Sequence, residues 1–276
     1  MDLIASIIYG FVSGMAEIFP VSAQANQMVM RHLMGVPQKE PIRDLLIHIA
    51  VLGAVFLACR GMFSKIRREQ ILAHRMRRNP SQVHALKGVF NVRLVRTATP
   101  IMAVGLIASL FFGKLYQNRL LFSLMLLLNG VLILIPVYMH QGNKDARSMS
   151  RFDGIMVGVA AAFSGVPGIS RNGAIMFATL TRGAEKQNGV TWALLLAVPA
   201  MVVLSFVDLI SIFSVGVGSI TMMVLLGYLA SAACAFVGAY LAVTIIRALI
   251  TRADYSAFAY YDFGLALLVF VLYLIA

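Results

Sequence analysis

Apolar and polar positions alternate along this chain in blocks, not in the period-2 or period-3.6 stripes of a soluble fold. Long apolar runs at 45–59, 97–113, 120–139, 190–214, 220–246 and 258–276 are separated by short polar connections. Runs of this kind predict transmembrane helices, which need roughly 20 mainly apolar residues to cross a bilayer. Two further apolar regions are broken in the middle. Residues 3–12 run into Ser13-Gly14-Met15-Ala16-Glu17 and Pro20-Val21-Ser22-Ala23-Gln24, and an apolar stretch resumes over 26–34. Residues 154–163 and 174–180 flank Gly165-Val166-Pro167-Gly168-Ile169-Ser170-Arg171-Asn172-Gly173. Each flank is about half a bilayer crossing, and Gly and Pro at the centre end any helix there. Both regions predict re-entrant helical hairpins. The expected fold is an all-α integral membrane protein with six transmembrane helices and two re-entrant hairpins, forming one membrane domain over 1–276.

Composition agrees. The chain is 60% hydrophobic and 12% charged, with mean hydropathy +0.86, which excludes an ordinary soluble domain. The first residues carry no basic segment or small-residue cleavage site, so no removable signal peptide is expected. Cys59 and Cys234 both fall in apolar runs and read as packed thiols. The net charge of +12 invites a nucleic-acid reading, but ten Lys/Arg and one Glu are concentrated between Arg60 and Arg96. That is the signature of a cytoplasmic loop, which can also touch anionic headgroups. No nucleic-acid partner is expected.

With 60–96 inside, 35–44 lies outside and the first hairpin opens outward. The loop at 140–151 is then inside, the second hairpin opens inward, and both termini are external. The halves, about 1–139 and 153–276, are each one hairpin plus three spans, so they have opposite orientation. A shift of 148 residues sets Gly10 over Gly158, Val21 over Ile169 and Ser22 over Ser170. Inverted repeats with broken helices place a site where the breaks meet.

Glu17 and Arg171 are the charged residues at the two breaks. An intramembrane guanidinium needs an anion, a carboxylate or water beside it. The pair therefore either shares a phosphate or forms a structural ion pair between the hairpin tips. Ser22 and Ser170 suit helix capping or donation to a phosphate oxygen, and Gly168, Asn172, Gly173, Gln24 and Asn26 could line the same cavity. Backbone N–H groups opening the second half-helix would point at an anion held by Arg171. His48 reads first as a packed intramembrane histidine. Asp208 is either functional or exposed near the end of its span.

At these residues the chain resembles the bacterial undecaprenyl pyrophosphate phosphatase (BacA/UppP) family. That family carries Glu-Gly-x-Thr-Glu-Phe-Leu-Pro-Val-Ser-Ser-Thr-Gly-His and, later, Pro-Gly-x-Ser-Arg-Ser-Gly. Here the first reads Ser13-Gly14-Met15-Ala16-Glu17-Ile18-Phe19-Pro20-Val21-Ser22-Ala23-Gln24-Ala25-Asn26. The second reads Pro167-Gly168-Ile169-Ser170-Arg171-Asn172-Gly173, and Leu195-Leu196-Ala197-Val198-Pro199 is a third similar stretch. The resemblance implies a multi-pass protein of the bacterial cytoplasmic membrane that handles an isoprenoid lipid phosphate or pyrophosphate among membrane lipids, with a homodimer left open. It also implies a divalent metal such as Mg²⁺ or Ca²⁺. The family's first Glu, second Ser and His are Ser13, Ala23 and Asn26 in this chain. Neither Ala nor Asn can act as nucleophile or base, and one clustered carboxylate that would favour a hard cation is gone. Substrate-binding residues by this reading are Arg171, Ser170, Gly168, Asn172, Gly173, Asn26, Gln24 and Ser13. Glu17 and Ser22 are catalytic only if the chain hydrolyses its lipid. The sequence leans to binding or transport, with an active phosphatase of rearranged chemistry as the alternative.

Overall fold

A computed structural model describes residues 3–35, 40–76, 92–112, 118–140, 142–145, 148–215, 221–249 and 254–275. They form eleven α-helices and, among the described residues, no strand beyond a single Lys144–Ala184 bridge. Six of the helices are long and apolar enough to cross a membrane. These are α3 (Pro41–Ala58), α5 (Arg93–Ala108), α6 (Arg119–Tyr138), α9 (Lys186–Val215), α10 (Met222–Leu249) and α11 (Ser256–Ile275).

Two pairs of short helices occupy the positions of the broken apolar regions. The first pair is α1 (Leu3–Ala16) and α2 (Ala23–Leu33); the second is α7 (Arg151–Ala162) and α8 (Arg171–Thr181). The first break is shorter than the sequence suggests, because Ser13, Gly14, Met15 and Ala16 remain helical and the chain turns only at 17–22. Gly14 is tolerated there because it serves packing. A Cβ on Gly14 would lie 2.1 Å from the Ala235 carbonyl oxygen, and one on Gly10 equally close to that of Ser231. Small residues thus let α1 and α10 touch backbone to backbone, the usual basis of helix association in lipid.

The expected basic loop is also partly helical. Helix α4 (Arg60–Met76) follows α3 after Cys59 alone, with the Cys59 and Phe63 amides continuing the hydrogen-bond ladder. Residues 77–91 of that segment lie outside the described residues, as does part of the connection at 140–151.

Helix contacts follow an exchanged pattern. Helix α1 packs along α10, while α7 packs along α5; α3 packs on α10, while α9 packs on α5. Helix α2 touches α11 and α8 touches α6; α3 meets α9, and α6 meets α11. The α5–α7 contact is as close as that of α1 and α10, since a Cβ on Gly105 would fall 2.4 Å from Ala162. The two broken pairs are consequently each clamped by helices from the other half of the chain. The dry core lies around α3 and α9, with Ile47, Val51, Trp192 and Leu196 fully buried. Large apolar side chains such as Phe206, Leu229 and Leu267 face outward, as lipid contact requires.

The polar end of α7 is tied down separately. A reciprocal capping box joins Ser150 and Asp153, and the Asp153 carboxylate also accepts from Arg182 Nε at 2.7 Å and Lys144 Nζ at 3.3 Å. Burial alone would raise the Asp153 carboxyl, but the Ser150 backbone and the Arg182, Ser150 and Lys144 side chains hold it down to about 2.

Candidate functional site

Each second half-helix starts at a serine that caps it. Ser22 Oγ accepts the Ala25 amide at 3.3 Å, and Ser170 Oγ accepts the Gly173 amide at 3.1 Å. Gly168 has φ +95, a value that favours glycine, and makes the turn into Ser170. Gly173 allows close approach of the first break: a Cβ there would sit 3.2 Å from the Pro20 carbonyl oxygen.

The two breaks meet. Asn172 Nδ2 donates to the Glu17 carbonyl at 3.0 Å and the Ile18 carbonyl at 2.7 Å. Arg171 Nη2 donates to the same Glu17 carbonyl at 2.7 Å, and Nη1 faces Glu17 Oε2 at 3.4 Å. Gln24 Nε2 reaches the Ser164 carbonyl at 3.4 Å. Carbonyls freed where α1 ends are thereby satisfied by side chains from the second break, as buried backbone groups require.

The contact continues beyond this pair. Glu17 Oε1 lies 3.5 Å from His48 Nε2, and His48 Nδ1 lies 2.5 Å from Asp208 Oδ2. Four side chains thus form one chain, Arg171–Glu17–His48–Asp208, drawn from α8, the first break, α3 and α9. All four are at most 7% exposed and all line a cavity of about 770 Å³. Asp208 is buried and bonded, not facing water at the end of its span. His48 is a lining residue, not a packed one.

Of the residues singled out from the sequence, Glu17, Gln24, Ser170, Arg171 and Asn172 line this cavity. Ser13, Ser22, Asn26, Gly168 and Gly173 do not. Ser13 is buried on α1, and Ser22 is fully buried as a cap. Asn26 donates to the Ser22 carbonyl at 2.9 Å and accepts from the Tyr261 hydroxyl. Behind the tips, Asn129 Oδ1 accepts the Ser170 amide at 2.9 Å, while its Nδ2 donates to Asp262 at 2.5 Å. The Ser22 amide in turn faces Asp262. Asn129 and Asp262 were legible only as polar residues inside apolar spans, a signal that marks an interior-facing position without naming its partner.

The cavity also reaches Arg31, Pro41, Asp44, Arg119 and Ser211. These lie near the C-terminal ends of α2 and α9 and at the starts of α3 and α6. Helix α4 follows the C-terminal end of α3, whereas Pro41, Asp44 and His48 line the cavity from its N-terminal half.

Residues 6–268 match the family model for the bacitracin resistance protein BacA. The chain belongs to the BacA family. Similar BacA-family relatives include an undecaprenyl-diphosphatase of Alkaliphilus metalliredigens, 26% identical over 265 residues and covering 95% of each chain. An undecaprenyl-diphosphatase 1 of Shouchella clausii is 28% identical, covering 98% of this chain and 96% of its own. An undecaprenyl-diphosphatase of Methanobrevibacter smithii is 27% identical over 98% of both. This chain is therefore a divergent BacA-family multi-pass membrane protein that matches these relatives over nearly all of their length.

Proposed function

We propose that this protein binds the pyrophosphate headgroup of an isoprenoid lipid in the cavity where the two helix breaks meet, and hydrolyses its terminal phosphate. The observation that carries this reading is the joint presence of Arg171, Glu17 and the N-terminal end of α8 at one cavity. A guanidinium and a helix N-terminus together favour a phosphate group. Glu17 supplies a carboxylate beside the reacting centre. The names of the relatives point to the same substrate class.

The nucleophile in this reading is water. Ser22, the hydroxyl suggested by the family motif, is buried outside the cavity and engaged as a cap. A divalent metal does not fit as a resident group. Among the described residues no three His, Cys, Asp or Glu side chains group to hold one, and Glu17 already faces two basic side chains.

The exchanged packing of the two halves supports an inverted repeat, and the broken pairs are read as re-entrant hairpins. With the basic end in the cytoplasm, the cavity opens on the outer face of the cytoplasmic membrane. A second reading, carriage of the lipid without hydrolysis, draws on the replacement of three motif positions by Ser13, Ala23 and Asn26.

Phosphate release from undecaprenyl pyrophosphate by purified protein, with lipid binding measured in parallel, tests the proposal. Arg171→Ala is expected to lose both binding and release. Binding that is unchanged in Arg171→Ala refutes the site; binding without release by the wild type selects carriage.

A further inference from the structure

The family motif places a histidine where this chain has Asn26, and that asparagine is tied to Ser22 and Tyr261 away from the cavity. Hydrolysis through water needs a proton acceptor at the cavity. The cavity has an imidazole on a different helix. His48 comes from the second turn of α3, and its partner Asp208 from α9, 160 residues away.

We propose that His48, oriented by Asp208, acts with Glu17 as the proton acceptor for the attacking water. This rests on the hydrolytic reading of the site and names the residues that carry it.

The arrangement is a carboxylate–imidazole pair aimed into a cavity. A carboxylate on one ring nitrogen fixes the imidazole's orientation and tautomer, leaving the other nitrogen for chemistry. Here Asp208 Oδ2 holds Nδ1 at 2.5 Å, so Nε2 is directed to the cavity side, where Glu17 Oε1 lies 3.5 Å away. The charged groups facing His48 are Asp208 from α9 and Glu17 from the first break, with Arg171 of α8 behind Glu17. Arg171 holds the other carboxylate oxygen of Glu17, leaving Oε1 and Nε2 converging on one point.

The step balances without a further reactant. A water oxygen bonds to the terminal phosphorus, and the bond from that phosphorus to the bridging oxygen breaks. The bonding pair stays on the bridging oxygen, which departs as the lipid monophosphate. The water proton passes to the Glu17–His48 pair and then to solvent as inorganic phosphate leaves. A phosphate monoester leaves as an anion, so the step needs no acid. Arg171 offsets the charge that develops on the phosphoryl oxygens.

The test compares wild type, His48→Gln, His48→Ala, Asp208→Asn and Asp208→Glu in detergent, reading lipid pyrophosphate binding, phosphate release and its pH profile. His48→Gln is expected to bind within threefold of wild type, while release falls about 10²- to 10⁴-fold, the range of a lost general base. Added imidazole is expected to restore part of the release in His48→Ala, which a purely structural histidine would not allow. Asp208→Asn is expected to lower kcat with KM nearly unchanged and to displace the acidic limb of the pH profile; Asp208→Glu is expected to recover part of that loss. Release by His48→Gln close to wild type overturns the proposal, as does an Asp208→Asn profile that keeps its shape. Wild-type protein that binds the lipid without releasing phosphate refutes the hydrolytic reading on which the proposal rests. Failure of the wild type to bind at all refutes the site.

Discussion

Asn172 joins the two helix breaks alongside Arg171, and its removal tests whether their meeting holds the fold. Its Nδ2 group donates to two carbonyls, those of Glu17 and Ile18, and the side chain is 2% exposed. In Asn172→Ala both bonds disappear, together with the 3.3 Å bond that Asn172 Oδ1 accepts from Arg171 Nε. The Glu17 carbonyl keeps its 2.7 Å bond from Arg171, while the Ile18 carbonyl loses its donor from the second break. A lost hydrogen bond costs about 1 kcal/mol and a buried carbonyl left without a donor about 1–3 kcal/mol, giving roughly 2–4 kcal/mol in all. For a chain of this size that corresponds to a fall in Tm of about 3–7 °C. Asn172→Ser, which restores the residue of the family motif, provides one donor on a shorter side chain. It can serve at most one carbonyl, so its Tm is expected to fall between those of wild type and Asn172→Ala. Thermal unfolding in a single detergent, followed by tryptophan or dye fluorescence, reads both variants. A Tm for Asn172→Ala within about 1 °C of wild type would show that the breaks are not held together by these bonds.

Two further perturbations test the surrounding frame. Gly14→Ala puts a Cβ 2.1 Å from a backbone oxygen of α10; about 1–3 kcal/mol of overpacking is expected, seen as reduced folded yield and Tm. Gly61→Ala, with nothing within 4 Å, serves as its silent control, and equal behaviour of the two would refute close α1–α10 contact. Asp153 has a carboxyl depressed from 3.8 to about 2, so its stabilisation is full above its ordinary range and lost as pH falls through about 2. The shift corresponds to about 2 kcal/mol. Asp153→Asn should therefore be less stable than wild type at neutral pH, with the gap closing in strong acid; a gap independent of pH contradicts the ion-pair account.

The apolar blocks determined much of this protein by themselves. Bilayer thickness fixes the length of a crossing helix, so the six spans and the two interrupted regions follow from counting apolar residues. Gly168, Pro167 and Ser170 mark the second break because each acts locally, through backbone conformation or capping. Even so, local chemistry misplaced the start of the first break. Ser13 to Ala16 look like a helix terminator in isolation, and only the backbone of α10 pressed against Gly14 explains why the helix continues.

The site divides along the same line. Glu17 and Arg171 could be paired on paper, since each is a costly charge at a break that must find a partner. His48 and Asp208 could not. They lie 160 positions apart on helices whose rotation is set by packing between α3 and α9, and nothing in either span's composition distinguishes a lining histidine from a buried one. Asn129 and Asp262 were hidden for the same reason. Whether an intramembrane polar residue faces a cavity, a partner or the other half of the chain is decided by helix rotation, which is a property of the assembled bundle and not of any one helix.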